Sequence, residues 1–334
     1  MCSRAVFRCF RWMEKMGDRI TGAAGPFFVG LAIILMSVGV VAFFDVIQPS
    51  LSWPIASLPI TSMVAVNMLA HYYYACTVRP GFVDDAPRQP GKGFLWARKR
   101  SGSSSGALTG VQWSSAERIT KASITTCRKC GQRRPERAHH CRVCNRCVLK
   151  YDHHCPVRIN QCVGLHNERH FVLFMVYLVV ATCCFGVLGY ESIWKVLSFS
   201  FAEEWSYRTP SIAFALVYVV SVVLCLAVGV MLLWHLWSVA GGETSVENHD
   251  HEVYKKMAKE RGESFENSYD LGVRKNFEYF FNIGRNGYPL YTLILPLRIM
   301  PYTDGRAWAR REGYDRHAGV KPGEELTDED EDDE

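Results

Sequence analysis

The sequence predicts an α-helical integral membrane protein with four transmembrane helices and a cysteine-rich domain on the cytosolic side, between helices 2 and 3. Three observations carry this. Four blocks within the 334 residues are apolar and nearly free of charge, Lys and Arg crowd some of the intervening segments and avoid others, and seven of the 13 cysteines fall between Cys127 and Cys162. The averages, 49% hydrophobic and 21% charged, would fit a soluble domain. Their segregation excludes one, and also excludes a disordered or collagen-like chain.

The first apolar block runs from Phe27 to Phe44. The second runs roughly from Leu51 to Cys76, with Asn67 and His71 as its strongly polar interruptions. The third spans Phe171 to Tyr190 and the fourth Ile212 to Trp237. Blocks of about 18 to 25 residues cross a hydrocarbon core of roughly 30 Å as helices. Lipid demands the helix, because it offers no water to backbone polar groups.

The loops set the orientation. Arg4, Arg8, Arg11, Lys15 and Arg19 precede the first block, and the stretch between blocks two and three is rich in Lys and Arg. The turn between blocks one and two has neither, and the loop between three and four has only Lys195 and Arg208. The positive-inside rule places both termini and the central loop in the cytosol. The first apolar run starts too late for a cleavable signal peptide.

This divides the chain into a cytosolic N-terminus (1–26), transmembrane helices 1 and 2 (27–76), a linker (77–126), the cysteine-rich domain (127–170), transmembrane helices 3 and 4 (171–238), a cytosolic C-terminal region (239–323) and an acidic, disordered tail (324–334). The linker carries Pro80-Gly81, Lys99-Arg100 and the run from Ser101 to Gly106. The C-terminal region begins with a polar helical stretch from Val246 to Arg261 and continues with an aromatic one from Phe265 to Phe281. Tyr288 to Met300 is apolar but short and broken by Pro296, so it lies against the membrane rather than crossing it. The tail holds nine acids. Without it, 38 basic residues face 24 acidic ones, a net charge of +14. That balance favours an anionic membrane surface or a polyanionic ligand over nucleic acid.

The cluster reads Cys127-x2-Cys130, then His139-His140-Cys141, Cys144, Cys147, Asp152-His153-His154-Cys155 and Cys162. A reducing cytosol argues against disulfides, and thiolates with imidazoles at such spacings suit Zn²⁺. The segment has few apolar residues, so metal binding supplies its folding energy. Two closed tetrahedral sites need eight ligands. Seven cysteines and His139, His140, His153 and His154 compete for those places, so some residues are left over for chemistry.

This pattern between the second and third spans resembles the DHHC protein S-acyltransferases, the palmitoyltransferases. The resemblance covers most of the chain, including Thr244-Ser245-Val246-Glu247, which is similar to that family's Thr-Thr-x-Glu motif, and an aromatic C-terminal motif around Asn267, Tyr269, Gly272 and Asn276. It implies two structural Zn²⁺, one held by Cys127, Cys130, His140 and Cys147, the other by Cys141, Cys144, His154 and Cys162. It leaves Asp152, His153 and Cys155 as the catalytic set. The chemistry is coherent: Cys155 is the nucleophile, His153 takes its proton, and Asp152 orients and stabilises the imidazole. The implied reaction moves a long-chain acyl group, palmitoyl, from acyl-CoA through a Cys155 thioester to membrane-proximal cysteines of cytosol-facing proteins. The implied partners are membrane lipid, acyl-CoA (palmitoyl-CoA) and those protein substrates, with no nucleic acid. The implied setting is an endomembrane, endoplasmic reticulum or Golgi.

Several residues keep two readings. Arg128, Lys129, Arg133, Arg134 and Arg137 are candidates for the CoA phosphates or simply set topology. Phe171 and Phe174 line an acyl cavity, or pack as core, or face lipid. Thr244 and Glu247 have capping-box spacing as well as motif spacing. Asn267, Tyr269 and Asn276 are expected to tie the tail to the span ends. His139 is read as structural or solvent-facing. Cys2, Cys9 and Cys76 are possible acyl acceptors, and Cys183, Cys184 and Cys225 are packing residues. The chain departs from the family after Cys155. Pro156-Val157-Arg158-Ile159-Asn160-Gln161 lacks the usual tryptophan and holds one residue more before Cys162, which predicts weak but real activity. A catalytically impaired scaffold of the family and a membrane-anchored zinc binding module are the rival readings.

The charge asymmetry is tested by topology tags. Tags at Met1, within Ser101 to Gly106 and at Glu334 should all be reached by a cytosolic protease in intact microsomes, and a tag at Glu203 should be protected. Protection of the Ser101 tag would put the cysteine-rich segment on the wrong side for acyl-CoA.

Overall fold

A computed structural model describes residues 2–98, 118–156, 159–197, 205–284, 287–321 and 324. The four tag positions, the tail beyond Glu324 and the Val157-Arg158 departure lie outside the described residues. The chain forms two compact units. One holds Met1–Thr77, Cys155–Asn160 and His170–Leu232; the other holds Val78–His154, Gln161–Arg169 and Leu233–Glu334.

The first unit is helical. Its elements are α1 (Cys2–Ala42), a π-turn at Phe43–Ile47, α2 (Gln48–Ser50), α3 (Pro54–Thr77), most of α4 (Glu168–Leu188), α5 (Tyr190–Leu197) and the greater part of α6 (Ser211–Ala240). Among the described residues, four stretches are long and apolar enough to cross a membrane: Ala24–Ser50, Pro54–Thr77, Glu168–Leu188 and Ser211–Ala240. The third is the most enclosed, with 44% of its most apolar window buried against 11 to 22% for the others.

The ends of these spans differ from those of the apolar blocks by a few residues, and polar side chains act near the ends of the first, second and fourth. Gln48 donates to Pro54 O at 2.6 Å and Ser57 Oγ at 2.9 Å and accepts from Thr61 Oγ1 at 2.9 Å, closing the turn between the first two spans without an unsatisfied amide. Asp45, inside the π-turn, accepts from Thr209 N at 2.7 Å and ties down the start of the fourth span. Around it Phe43, Val46, Ile47, Phe185 and Phe214 form an aromatic-rich core.

The second unit is built from short hairpins and two helices. Strand β1 (Arg118–Lys121) pairs with β8 (Ala307–Arg310), β2 (Ile124–Thr126) with β3 (Arg133–Pro135), β4 (His139–Cys141) with β5 (Arg146–Val148), and β6 (His153–Cys155), whose first two residues belong to this unit, with β7 (Gln161–Val163). Strands of three or four residues bury little apolar area, and the core gathers instead on Val83, Leu149, Leu165, Tyr269, Tyr302 and a fully buried Trp308. Helix α7 (Ser245–Glu260) starts at a complete capping box: Thr244 accepts from Glu247 N, and Glu247 accepts from Thr244 N at 2.9 Å. Helix α8 (Val273–Phe280) follows. Between α6 and α7, Gly242 has a left-handed φ of 71°. A Cβ there would also stand 2.7 Å from Tyr269 O, so glycine is required on both counts. Asn267 donates to Gly241 O at 2.9 Å and Asn276 to Ala240 O at 2.7 Å, which satisfies the carbonyls at the end of α6.

Arg137 is a correction to the sequence reading. Its guanidinium is buried, binds Glu247 through two bonds of 2.5 and 2.6 Å, donates to Gly242 O and lies 4.1 Å over the Tyr269 ring and 4.7 Å over Trp308. Its Nε and Nη2 donors serve the fold. Tyr288 to Met300 contains only a single 3₁₀ turn at Leu290–Leu293, with Leu290, Ile294 and Leu295 exposed.

Burial pushes the Glu247 carboxyl up, but the charge and hydrogen bonds of Arg137 outweigh it and hold the group at about 2. A carboxyl depressed in the folded state contributes its stability above the ordinary glutamate range and loses it as pH falls toward 2. Glu247→Gln strands a buried cation and should cost about 3–5 kcal/mol. Urea or thermal unfolding of the detergent-solubilised protein reads this, and a loss within about 0.5 kcal/mol of zero, the range of an ordinary surface change, would contradict the account.

Candidate functional site

The metal-ligating candidates sit on the hairpins. Cys127 and Cys130 flank a tight turn in which Gly131 N donates to Cys127 O and Gly131 takes φ 69°. Cys141 and Cys144 flank a second such turn, in which Cys144 N donates to Cys141 Sγ and Asn145 takes φ 53°. On β4, His140 pairs with Cys147 across the hairpin, while Cys141 faces the other way. Successive strand residues point to opposite faces. Adjacent residues therefore serve different clusters.

Two groups of four result: Cys127, Cys130, His140 and Cys147, and Cys141, Cys144, His154 and Cys162. Ligand atoms in each lie within 4.8 Å of one another. In the first, Cys130 Sγ is 3.5 Å from Cys147 Sγ, and His140 Nδ1 is 3.7 Å from Cys127 Sγ. In the second, His154 Nδ1 lies 3.6, 3.5 and 3.4 Å from the sulfurs of Cys141, Cys144 and Cys162. Tetrahedral sites with metal–sulfur bonds of about 2.3 Å and metal–nitrogen bonds of about 2.0 Å need edges of this size. None of these cysteines is in a disulfide. Both groups have the donor chemistry and the spacing to hold a metal ion. His139 belongs to neither; its ring lies 6.4 Å from Tyr151.

Asp152 and His153 also stay outside both groups and bind each other. Asp152 Oδ2 and His153 Nδ1 are 2.6 Å apart, and Ser245 N donates to Asp152 Oδ1 at 2.8 Å. Both readings of the Thr244 segment are therefore realised: Thr244 and Glu247 cap α7, and the same helix start delivers an N–H to Asp152. Burial pushes the Asp152 carboxyl up, but the hydrogen bond and charge of His153, the charge of His235 and the Ser245 N–H hold it well below the usual carboxylate range. Asp152 is a carboxylate at neutral pH. His235 stands near the same carboxylate, its Nδ1 3.8 Å from Asp152 Oδ2. Sequence reasoning missed it, because one histidine in an apolar span carries no pattern of spacing.

Cys155 lies in the helical unit, half-buried, in electrostatic range of Cys76 and Tyr72. The same unit holds an almost wholly apolar cavity of about 270 Å³ lined by residues such as Phe43, Phe44, Met68, Ala181, Phe185 and Val217. Phe171 and Phe174 do not line it; both are buried in packing, Phe174 against Tyr72 with ring centroids 5.0 Å apart. Of the basic candidates, Arg128, Lys129 and Arg133 are exposed, while Arg134 is buried and donates to Thr125 Oγ1 at 3.3 Å.

Known proteins with similar sequences share one description. The family model described as DHHC palmitoyltransferase matches residues 120–252. Palmitoyltransferase ZDHHC16B of Danio rerio is 28% identical over 91% of this chain and 81% of its own length. Palmitoyltransferase ZDHHC16 of Mus musculus is 28% identical over 91% of this chain and 79% of its own. Probable protein S-acyltransferase 14 of Arabidopsis thaliana is 34% identical over 58% of this chain, and the match spans 59% of that protein.

Each group of four should hold its own ion. Cys130→Ala should remove one metal equivalent from purified protein and Cys144→Ala the other, by elemental analysis. Two unchanged equivalents in both variants would mean that the ligands lie elsewhere.

Proposed function

We propose that this chain, which belongs to the DHHC palmitoyltransferase family through the match over residues 120–252, is a protein S-palmitoyltransferase that takes its acyl group from palmitoyl-CoA and passes it to membrane-proximal cysteines of cytosol-facing proteins. The observation that carries the reading is the bonded pair of Asp152 and His153, left outside both four-ligand groups and followed in the chain by Cys155.

In the first half-reaction His153 accepts the Cys155 thiol proton, and Asp152 stabilises the imidazolium without itself taking the proton. The Cys155 thiolate attacks the acyl carbonyl, the bond from that carbon to the CoA sulfur breaks, and CoA leaves as a thiol with the proton held by His153. In the second, His153 takes the proton of the acceptor cysteine, whose sulfur attacks the Cys155 thioester and restores the Cys155 thiol. Zinc, when bound in the two four-ligand groups, supplies the folding constraint for the loop that carries these residues. The apolar cavity of the helical unit suits a long acyl chain. Exposed Arg128, Lys129 and Arg133 suit the CoA phosphates. The setting is an endomembrane, endoplasmic reticulum or Golgi, with both termini cytosolic. A second reading, a catalytically impaired scaffold, is favoured by the missing tryptophan and added residue between Pro156 and Cys162.

The test is self-acylation of purified protein by labelled palmitoyl-CoA, released by hydroxylamine. Cys155→Ser should abolish the label and keep both metal equivalents. His153→Ala should slow labelling by about 100-fold or more at neutral pH, and by less at alkaline pH, where the thiol ionises unaided. A Cys155→Ser variant that loses metal would make Cys155 a ligand and end the mechanism.

A further inference from the structure

We propose that His235 is a positioning residue for acyl transfer: from the last turns of α6 its imidazole holds the Asp152 carboxylate in the orientation that aligns His153. This rests on the acyltransferase reading above and adds a residue that neither the cluster nor the motif after α6 contains.

The placement is unusual for its helix. Ser211–Ala240 holds no Asp, Glu, Lys or Arg, and His235 is its one histidine. An ionisable side chain in an apolar span is costly, and it is retained where it meets a partner. His235 is 9% exposed and Asp152 6%, so the pair meets away from bulk water. The 3.8 Å from His235 Nδ1 to Asp152 Oδ2 is an electrostatic contact rather than a hydrogen bond. The His153 and His235 rings lie 5.7 Å apart, and the Nδ1 of each approaches the same carboxylate oxygen.

Asp152 is thus approached from three elements. His153 follows it in the chain, Ser245 N comes from the start of α7, and His235 comes from α6. The last two stand on either side of one turn. That turn is fixed by the left-handed Gly242, by Asn267 on Gly241 O, by Asn276 on Ala240 O and by Arg137 on Gly242 O. A carboxylate bound only through Oδ1 to Ser245 and Oδ2 to His153 can still rock about its Cβ–Cγ bond. A third group on the Oδ2 side limits that motion by its electrostatic contact and its bulk. Loss of alignment at the base falls on the rate of proton transfer, not on acyl-CoA binding.

The test compares His235→Phe, which keeps the ring volume and removes the nitrogens, with His235→Gln, which keeps a donor. Single-turnover acylation of Cys155 is followed against palmitoyl-CoA concentration, with metal content measured alongside. His235→Phe should lower the maximal rate about 10-fold or more, with the half-saturating palmitoyl-CoA concentration and both metal equivalents unchanged. His235→Gln should recover most of that loss. In an Asp152→Asn background, His235→Phe should add less than about two-fold, because two residues acting through one carboxylate are not additive. An independent readout is the nitrogen-bound proton resonance of His153 in ¹⁵N-histidine-labelled protein, which should shift in His235→Phe and return in His235→Gln. Three results would overturn the proposal: a parent-like rate for His235→Phe, a full loss that persists in the Asp152→Asn background, or a loss matched by missing metal. A parent protein that accepts no acyl group would end the acyltransferase reading, and the His153 resonance alone would then decide this one.

Discussion

Strand alternation at β4 is the constraint on which the second unit depends. His140 and Cys141 are neighbours in the chain, yet the pleat sends them to opposite faces and into different groups of four. A hairpin of six paired residues therefore stitches two metal-capable centres together. The unit needs the stitching, because its strands are too short to supply a sheet core. Val148, between the two centres, is fully buried, and Phe82 and Tyr151 pack beside it. With metal ions held, such donor groups would do here what leucines and valines do in a larger domain.

A second constraint joins this unit's early and late segments. Arg137 precedes the β4 strand and Glu247 opens α7, 110 residues later, yet both are buried and meet through two charged hydrogen bonds. Glu247 also completes the capping box. One carboxylate therefore fixes where α7 begins and, through Ser245, where an N–H meets Asp152. The path from fold to chemistry is short: guanidinium, carboxylate, helix start, Asp152, His153. Each link is a contact of 3.3 Å or less, so the Asp152 carboxylate is placed by a chain of polar contacts.

The sequence makes the membrane helices legible because lipid imposes one rule on every exposed position. It places their ends poorly, because these depend on single polar contacts such as those of Gln48 and Asp45. The cluster was legible as a set of competitors for eight ligand places, and the resemblance to a known family divided them. Spacing alone could not, since the division follows from the faces of β4. Arg137 was misread for a related reason: a basic run looks like phosphate-binding surface, and nothing local shows that one of its members is neutralised by an acid 110 residues away. His235 was invisible, because its meaning lies in the carboxylate it approaches, 83 positions earlier.

The ties from Asn267 and Asn276 to the end of α6 bear on the order in which the chain is made. The cysteine hairpins leave the ribosome before the fourth span, and the residues that lock the turn after that span come later still. Strand β8, which closes on β1 and buries Trp308, follows even these. A nascent chain can thus gather its metal-capable groups early, while the partners that steady Asp152 arrive only after the fourth span is in the bilayer.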